Sequence, residues 1–244
     1  MELTLLGCYG PYPPAGGACS GYLVREDDFL LLLDCGNGVL SRLREQTSFL
    51  DLNAVVVSHL HADHISDIMI MRYGLEIAFN SGLRKAPLSL YVPAEPRSEF
   101  ERLPYKNAYD VKSVSSEIHL QEGPFKIAFL QGVHAVPSFS IRLETSSGVL
   151  VYSGDTEYHS ELEAFAKGAD LFLCEANYLE ADLEAGLSNH LCAAGAAQIA
   201  ASAGVKQLVL THLHPERDPA LSLAEAVKYF PTARLAEEGQ VMLV

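Results

Sequence analysis

The chain has 244 residues, 49% of them hydrophobic, and carries 17 Lys and Arg against 31 Asp and Glu for a formal charge of −14. That apolar content excludes a disordered chain, and the length is ample to bury a core. The acidic balance is the opposite of the basic footprint that long nucleic acid selects, so extended duplex binding is not expected.

The chain opens on a strand, Leu3 to Leu6, followed by a loop dense in Gly and Pro from Gly7 to Gly21. Apolar runs of strand length follow at Phe29 to Leu33, Ala54 to Val57, Leu88 to Val92, Phe125 to Phe129, Gly148 to Tyr152, Leu171 to Cys174 and Leu208 to Leu210. Helical spacing separates some of them, at Ile65 to Phe79, Ser160 to Lys167, Ala193 to Ala203 and Leu223 to Phe230. This is an α/β chain in which two or three strands come together before each helix.

An internal echo pairs Asp51 to His61 with Gly204 to His214, each an apolar strand ending in Ser or Thr and then His-Leu-His. A second pairs Leu31 to Gly36 with Leu150 to Asp155. The expectation is one domain, residues 1–244, built of two similar halves meeting near residue 115. Arg84 to Lys112 holds six of the 17 basic residues, diluted by four acids, and is expected to be an exposed excursion. Glu157 to Glu184, with eight acids and one Lys, reads as a solvated face.

No run approaches the ~20 apolar residues of a spanning helix, so no membrane segment is expected. Met1-Glu2-Leu3-Thr4 lacks the basic and apolar regions of a secretory signal. Five cysteines, at 8, 19, 35, 174 and 192, form no Cys-x-x-Cys pair and leave one over in any disulfide scheme. Reduced, structural thiols in a cytoplasmic protein are expected.

Chemistry concentrates in His59-Leu60-His61-Ala62-Asp63-His64, directly after Val55-Val56-Val57-Ser58. Side chains two apart share one side of an extended segment, so His59 and His61 can converge on one ion at the strand end. Asp63 and His64 point elsewhere, free to take a second ion as a helix begins. Imidazole suits Zn²⁺, Fe²⁺ and Mn²⁺, and a carboxylate beside it suits the harder partner of a pair.

The hexapeptide resembles the His-x-His-x-Asp-His signature of the metallo-β-lactamase superfamily. His134 in Gly132-Val-His-Ala-Val-Pro-Ser138, Asp155 in Tyr152-Ser-Gly-Asp-Thr156 and His212 in Leu210-Thr-His-Leu-His-Pro215 follow in the family's order. The glycine-rich start and Leu33-Asp-Cys-Gly36 extend the likeness over nearly the whole chain. The resemblance implies a four-layer αββα sandwich of two mixed β-sheets and a site for two divalent metal ions. One ion would be held by His59, His61 and His134, the other by Asp63, His64 and His212, with Asp155 bridging. Zinc is the commonest metal of the family, and Mn or Fe also suit the donors. Such a pair, ~3.5–4 Å apart, shares a water and lowers its pKa towards ~7, so the bridging hydroxide can attack a substrate. With Asp63, Asp155 and that hydroxide counted against two divalent ions, the pocket is net positive inside an acidic protein, which favours a small anionic substrate.

Within the family the chain resembles the branch of ribonuclease Z and the cyclic phosphodiesterase of phosphonate metabolism. Tyr152-Ser-Gly-Asp-Thr156, Gly168 to Asn177 and the stretch from Asn189-His190 to Thr211-His212 carry that likeness. It implies that His190, before the helix Ala193 to Ala203, acts at the leaving group, with Asp63, Asp155 and His190 as the catalytic set. A helix N-terminus there would also favour a phosphate oxygen. Glu175 and Asp34 read as carboxylates supporting the site from behind. Ribonuclease Z grips the tRNA body with a long insertion between the third ligand His and the bridging Asp, whereas His134 and Asp155 stand only 21 positions apart here.

The expected function is a metal-dependent phosphodiesterase acting on a small, cyclic or linear diester or short RNA. The alternatives are an acyl hydrolase (lactonase or β-lactamase-like) and a tRNA 3′-processing endonuclease. Tyr158, three residues after Asp155, slightly favours the acyl reading because it resembles a substrate-contacting aromatic of acyl-homoserine lactonases. Of the remaining histidines, His119 and His159 read as surface residues, and His214, close to His212, reads equally as a supporting residue of the site or a surface one. Relatives in this family are often homodimers.

Overall fold

The computed structural model describes residues 1–244. Strands β1 (Glu2–Gly7), β2 (Gly21–Glu26), β3 (Phe29–Leu33), β4 (Ala54–Val56), β5 (Leu88–Pro93) and β6 (Tyr109–Val114) form one sheet, joined at its edge by the C-terminal β14 (Val241–Leu243). The second sheet holds β7 (His119–Glu122), β8 (Phe125–Gln131), β9 (Phe139–Glu144), β10 (Val149–Tyr152), β11 (Leu171–Glu175), β12 (Gln207–Thr211) and β13 (Arg234–Leu235). Each sheet is mixed. β3 to β6 run parallel and β14, β1, β2 and β3 antiparallel; in the second sheet β10 to β13 run parallel and β7 to β10 antiparallel.

Alternation along each strand explains why the runs are apolar throughout. Leu31 and Leu33 pack between the two sheets, whereas Leu30 and Leu32 face the helices on the outside. Leu171 and Leu173 likewise point inward, and Phe172 and Cys174 point to the helices of the other half. On the outer face of the first sheet lie α1 (Val39–Gln46), α2 (Ala62–Ile65) and α3 (Ile68–Asn80), with α4 (Arg97–Phe100) in the connection after β5. Against the second lie α5 (Ser160–Ala166), α7 (Ala193–Ala203) and α8 (Pro219–Ala226), with the short α6 (Glu180–Glu184) between them in sequence. Three apolar layers therefore separate four structural layers, the αββα sandwich that the sequence motifs imply. No helix is long and apolar enough to cross a membrane.

Several local expectations are corrected. The helix expected over Ile65 to Phe79 is two helices, because Asp67 turns aside: its carboxylate accepts the Leu40 N–H at 2.8 Å and its own N–H donates to the Cys35 carbonyl. The last helix begins at Pro219 instead of Leu223, since Asp218 caps it, accepting from Ala220 N–H at 3.0 Å, with proline in the first turn. Arg84 to Lys112 is no excursion; it contains β5 and most of β6, and the Arg84 guanidinium is tied to the carbonyls of Leu50 and Leu52.

Candidate metal centre

The site is assembled where parallel strands end, the place at which open α/β sheets present ligand-binding loops. After β4 the chain bends at Ser58 and reaches His61 in extended backbone, at φ −69° and ψ 150°, where α2 starts. Asp63 and His64 lie in that helix's first turn. Past β8 comes His134, past β10 Asp155, and past β12 His212. Residues far apart in sequence thus meet at one crevice between the sheets.

His59, His61 and His134 converge first. His59 Nε2 lies 3.0 Å from His61 Nδ1, and His134 Nε2 lies 3.1 Å from the same atom. The second group is Asp63, His64 and His212, with Asp63 Oδ2 3.2 Å from His212 Nε2 and 3.6 Å from His64 Nε2. Asp155 touches both groups: Oδ2 is 3.3 Å from His212 Nε2 and 3.7 Å from His59 Nε2, while Oδ1 is 3.4 Å from His64 Nε2. In each trio one ligand atom per residue lies within 4.8 Å of the others.

The donor set fits divalent cations. His64 Nε2 and Asp155 Oδ1 are buried without a hydrogen-bond partner, an arrangement that costs roughly 1–3 kcal/mol per group unless something satisfies it. Facing imidazole nitrogens and carboxylate oxygens share one requirement, a positive ion between them. Burial holds His59 well below the usual histidine range, and burial also lowers His61 and His134, which keeps these rings neutral as ligation requires. Burial works to raise the Asp155 carboxyl, but the imidazoles of His212, His64 and His59 outweigh it and hold it well below the usual carboxylate range.

Outer contacts orient the ligands. Asp34 is the main one: Oδ2 receives His64 Nδ1 at 2.7 Å, Ser58 Oγ at 2.8 Å and Tyr152 Oη at 2.8 Å, and Oδ1 receives Ser58 N–H at 2.7 Å. Ser58 Oγ also lies 3.1 Å from His59 Nδ1. The Asn189 carbonyl takes His134 Nδ1 at 2.7 Å, and the Asn177 amide donates to the carbonyls of Gly10 and His212 at 2.9 and 3.0 Å. Asp34 and His212 both adopt left-handed backbone, at φ 55° and 51°, strain of the kind held in place at functional sites. Gly10 completes the cradle, since a Cβ there would fall on the His212 ring, and Gly36 does the same beneath the Asp63 carbonyl. Ser58, Tyr152, Asn177, Asn189 and Gly10 have no ligand motif of their own, and only their adjacency to motif residues could have flagged them.

His190 joins the centre from α7's side. Its ring stacks on His212 at 5.3 Å and meets His134 edge-on at 5.1 Å. Nδ1 lies 3.1 and 3.2 Å from the two Glu175 oxygens, so the carboxylate accepts the Nδ1 proton and Nε2 faces away from it. Burial would lower this imidazole, but the Glu175 carboxylate reverses that and pushes it up to about 9. Glu175 also accepts Thr156 N–H at 2.7 Å, one residue past Asp155, so one carboxylate ties His190 to the loop that carries Asp155.

Three expectations about neighbours change. The α7 N-terminus is not open to a phosphate, because its first N–H groups are taken by the Tyr178 carbonyl at 3.0 Å and the Cys192 thiol at 3.3 Å. Tyr158 is 54% exposed, and its hydroxyl donates to Glu163 at 2.6 Å instead of reaching the centre. His214 also stays outside, with Nδ1 accepting Glu216 N–H at 3.2 Å. All five cysteines are buried and free.

A model of the β-lactamase superfamily domain matches residues 30–213. The probable metallo-hydrolase YhfI of Bacillus subtilis is 36% identical over 213 residues, covering 87% of each chain. Its crystal structure, described as a metallo-β-lactamase fold protein, superposes with a TM-score of 0.94 at 33% identity, covering 99% of this chain and 98% of that one. Ribonuclease Z of Brevibacillus brevis is 30% identical over an alignment of 309 positions that covers 98% of this chain and 95% of that protein. With these likenesses and a fold of two seven-stranded mixed sheets between helices, the chain belongs to the β-lactamase superfamily and has the metallo-β-lactamase fold.

Proposed function

We propose that the protein is a metal-dependent hydrolase that cleaves small phosphodiesters. His59, His61 and His134 would hold one divalent ion and Asp63, His64 and His212 another, with Asp155 shared; zinc suits this donor set, as do manganese and iron. Ions there would supply Lewis acidity toward a phosphoryl oxygen and a water acidified towards neutral pH. Hydrolysis forms a P–O bond to the water oxygen and breaks one ester P–O bond, whose electron pair leaves with the alcohol oxygen.

The observation that carries the phosphodiester reading is His190. It stands against both ligand groups without being needed to complete either, and Glu175 occupies its Nδ1, leaving Nε2 to give a proton to the departing alkoxide. The proton released from water restores it. Tyr158, the feature favouring a lactone or β-lactam substrate, is held by Glu163. Against tRNA 3′ processing, the chain from His134 to Asp155 is filled by β9, β10 and their turn. The ribonuclease Z alignment runs over 309 positions against 244 residues here, so that relative carries segments this chain lacks.

Purified protein supplied with Zn²⁺ or Mn²⁺ should turn over bis(p-nitrophenyl) phosphate and a 2′,3′-cyclic nucleotide. Absence of cleavage of any diester in a metal-replete preparation, together with lactone opening, would overturn the reading.

A further inference from the structure

A cavity of about 430 Å³ opens directly beside His190, inside the ~300–1,000 Å³ range of ligand pockets. Neither ligand group reaches into it. Its rim carries Tyr158, Leu183 and Leu187, which are 54%, 41% and 50% exposed, over the buried Leu191. Large apolar side chains clustered around a concavity mark a binding surface more than they mark ordinary exposure. Apart from His190 the charged lining is acidic: Glu157, Glu180 and Glu184 are present and no Lys or Arg is. Glu157 is already used by the Asn189 N–H at 2.8 Å, whereas Glu180 has only Lys228 at 4.0 Å.

The position of the cavity decides what would enter it. His190 sits at its inner edge, so an alcohol oxygen that takes the His190 proton lies where cavity and centre meet, and the rest of that alcohol extends into the cavity. We propose that this pocket seats the leaving arm of the diester and selects an arm with an apolar ring and N–H donors and without a further phosphate, as in a nucleoside. Apolar walls receive the ring, the free carboxylates accept its N–H groups, and the same carboxylates repel a second phosphate. The contrast is the cleft of about 460 Å³ bordering His61, which is lined by Arg102 as well as Glu99 and has no such excess of acid. This assignment rests on the phosphodiester reading above.

The test uses metal-loaded enzyme and three substrates: the dinucleoside monophosphate ApA, and the same molecule with one added terminal phosphate, pApA or ApAp. Product identity shows which arm leaves. The phosphate on the leaving arm should lower kcat/KM roughly tenfold or more, and the phosphate on the other arm less than about threefold. The double variant Glu180→Lys, Glu184→Lys should erase most of that difference. Equal loss from either phosphate, or a ratio unmoved by the double variant, would overturn the assignment. Calorimetry with adenosine gives a readout free of turnover: saturable binding, weakened about fivefold or more by Leu187→Asp, supports the pocket, and no binding overturns it. Adenosine binding without cleavage of any of the three diesters would uphold the pocket and overturn the phosphodiester reading.

Discussion

The chain uses the word His-Leu-His twice at strand ends, after β4 and after β12, and the two copies meet different fates. After β4 the chain bends at Ser58 and is extended again at His61, and His59 and His61 both reach the centre. After β12 it turns left-handed at His212, with φ 51°, which turns that one imidazole inward and leaves His214 half-buried beside Glu216. The preceding hydroxyls diverge as well: Ser58 Oγ serves Asp34 and the His59 ring, whereas Thr211 Oγ1 bonds Tyr22 Oη at 2.7 Å in the buried layer between sheets. The lesson is that backbone exit angle, and not residue spacing, determines how many donors a strand end delivers. A left-handed exit also needs room, which Gly10 provides by leaving the space of a Cβ to the His212 ring.

The largest expected effect breaks the likeness between the two copies. His61→Ala should lower kcat/KM on bis(p-nitrophenyl) phosphate about 10³-fold, beyond the ~10–100-fold of a supporting residue. The equivalent His214→Ala should stay within about twofold, as changes away from the centre do. Next comes the side chain that only the β12 copy stacks against: His190→Ala should cost about 10²-fold in kcat on an alkyl diester, at the low end of general-acid effects. It should cost far less with a p-nitrophenolate leaving group, and bound metal should not change.

Asp34→Asn probes the support that only the β4 copy has. Asparagine tolerates the left-handed backbone there, so the loss should appear as roughly tenfold weaker metal binding, measured by chelator competition, with little change in folding. Gly10→Ala probes the other copy. The added methyl should push against the His212 ring and lower stability by about 1–3 kcal/mol, read in thermal melts.

Most of the centre was legible because its residues cluster in the loops and the helix start that follow strands, and strands buried on both faces announce themselves as unbroken runs such as Phe29–Leu33 and Leu171–Glu175. His134 follows β8, whose outward face is partly polar. Of the strands that were missed, β2 and β9 are largely buried but broken in sequence by Arg25 and Arg142, and two others lack the signal altogether. β6 and β7 are edge strands carrying Asp110, Lys112, Gln121 and Glu122, half exposed and so without an apolar run. α1 is eight residues long, with only Val39 and Leu43 buried. The partition of duties between Asp34 and Glu175 was also out of reach of spacing. Asp34 holds His64 while Glu175 holds His190, and only the register of β3 and β11 with their neighbours places each beneath its ring.

Metal stoichiometry is the most direct test of the two-group centre. After reconstitution with Zn²⁺ and removal of excess, elemental analysis should find two ions per chain in the native protein and in His214→Ala. In His212→Ala the count should fall to about one, because the β4 group of His59, His61 and His134 survives without it. Two ions retained in His212→Ala, or far fewer than two in the native protein, would contradict the account.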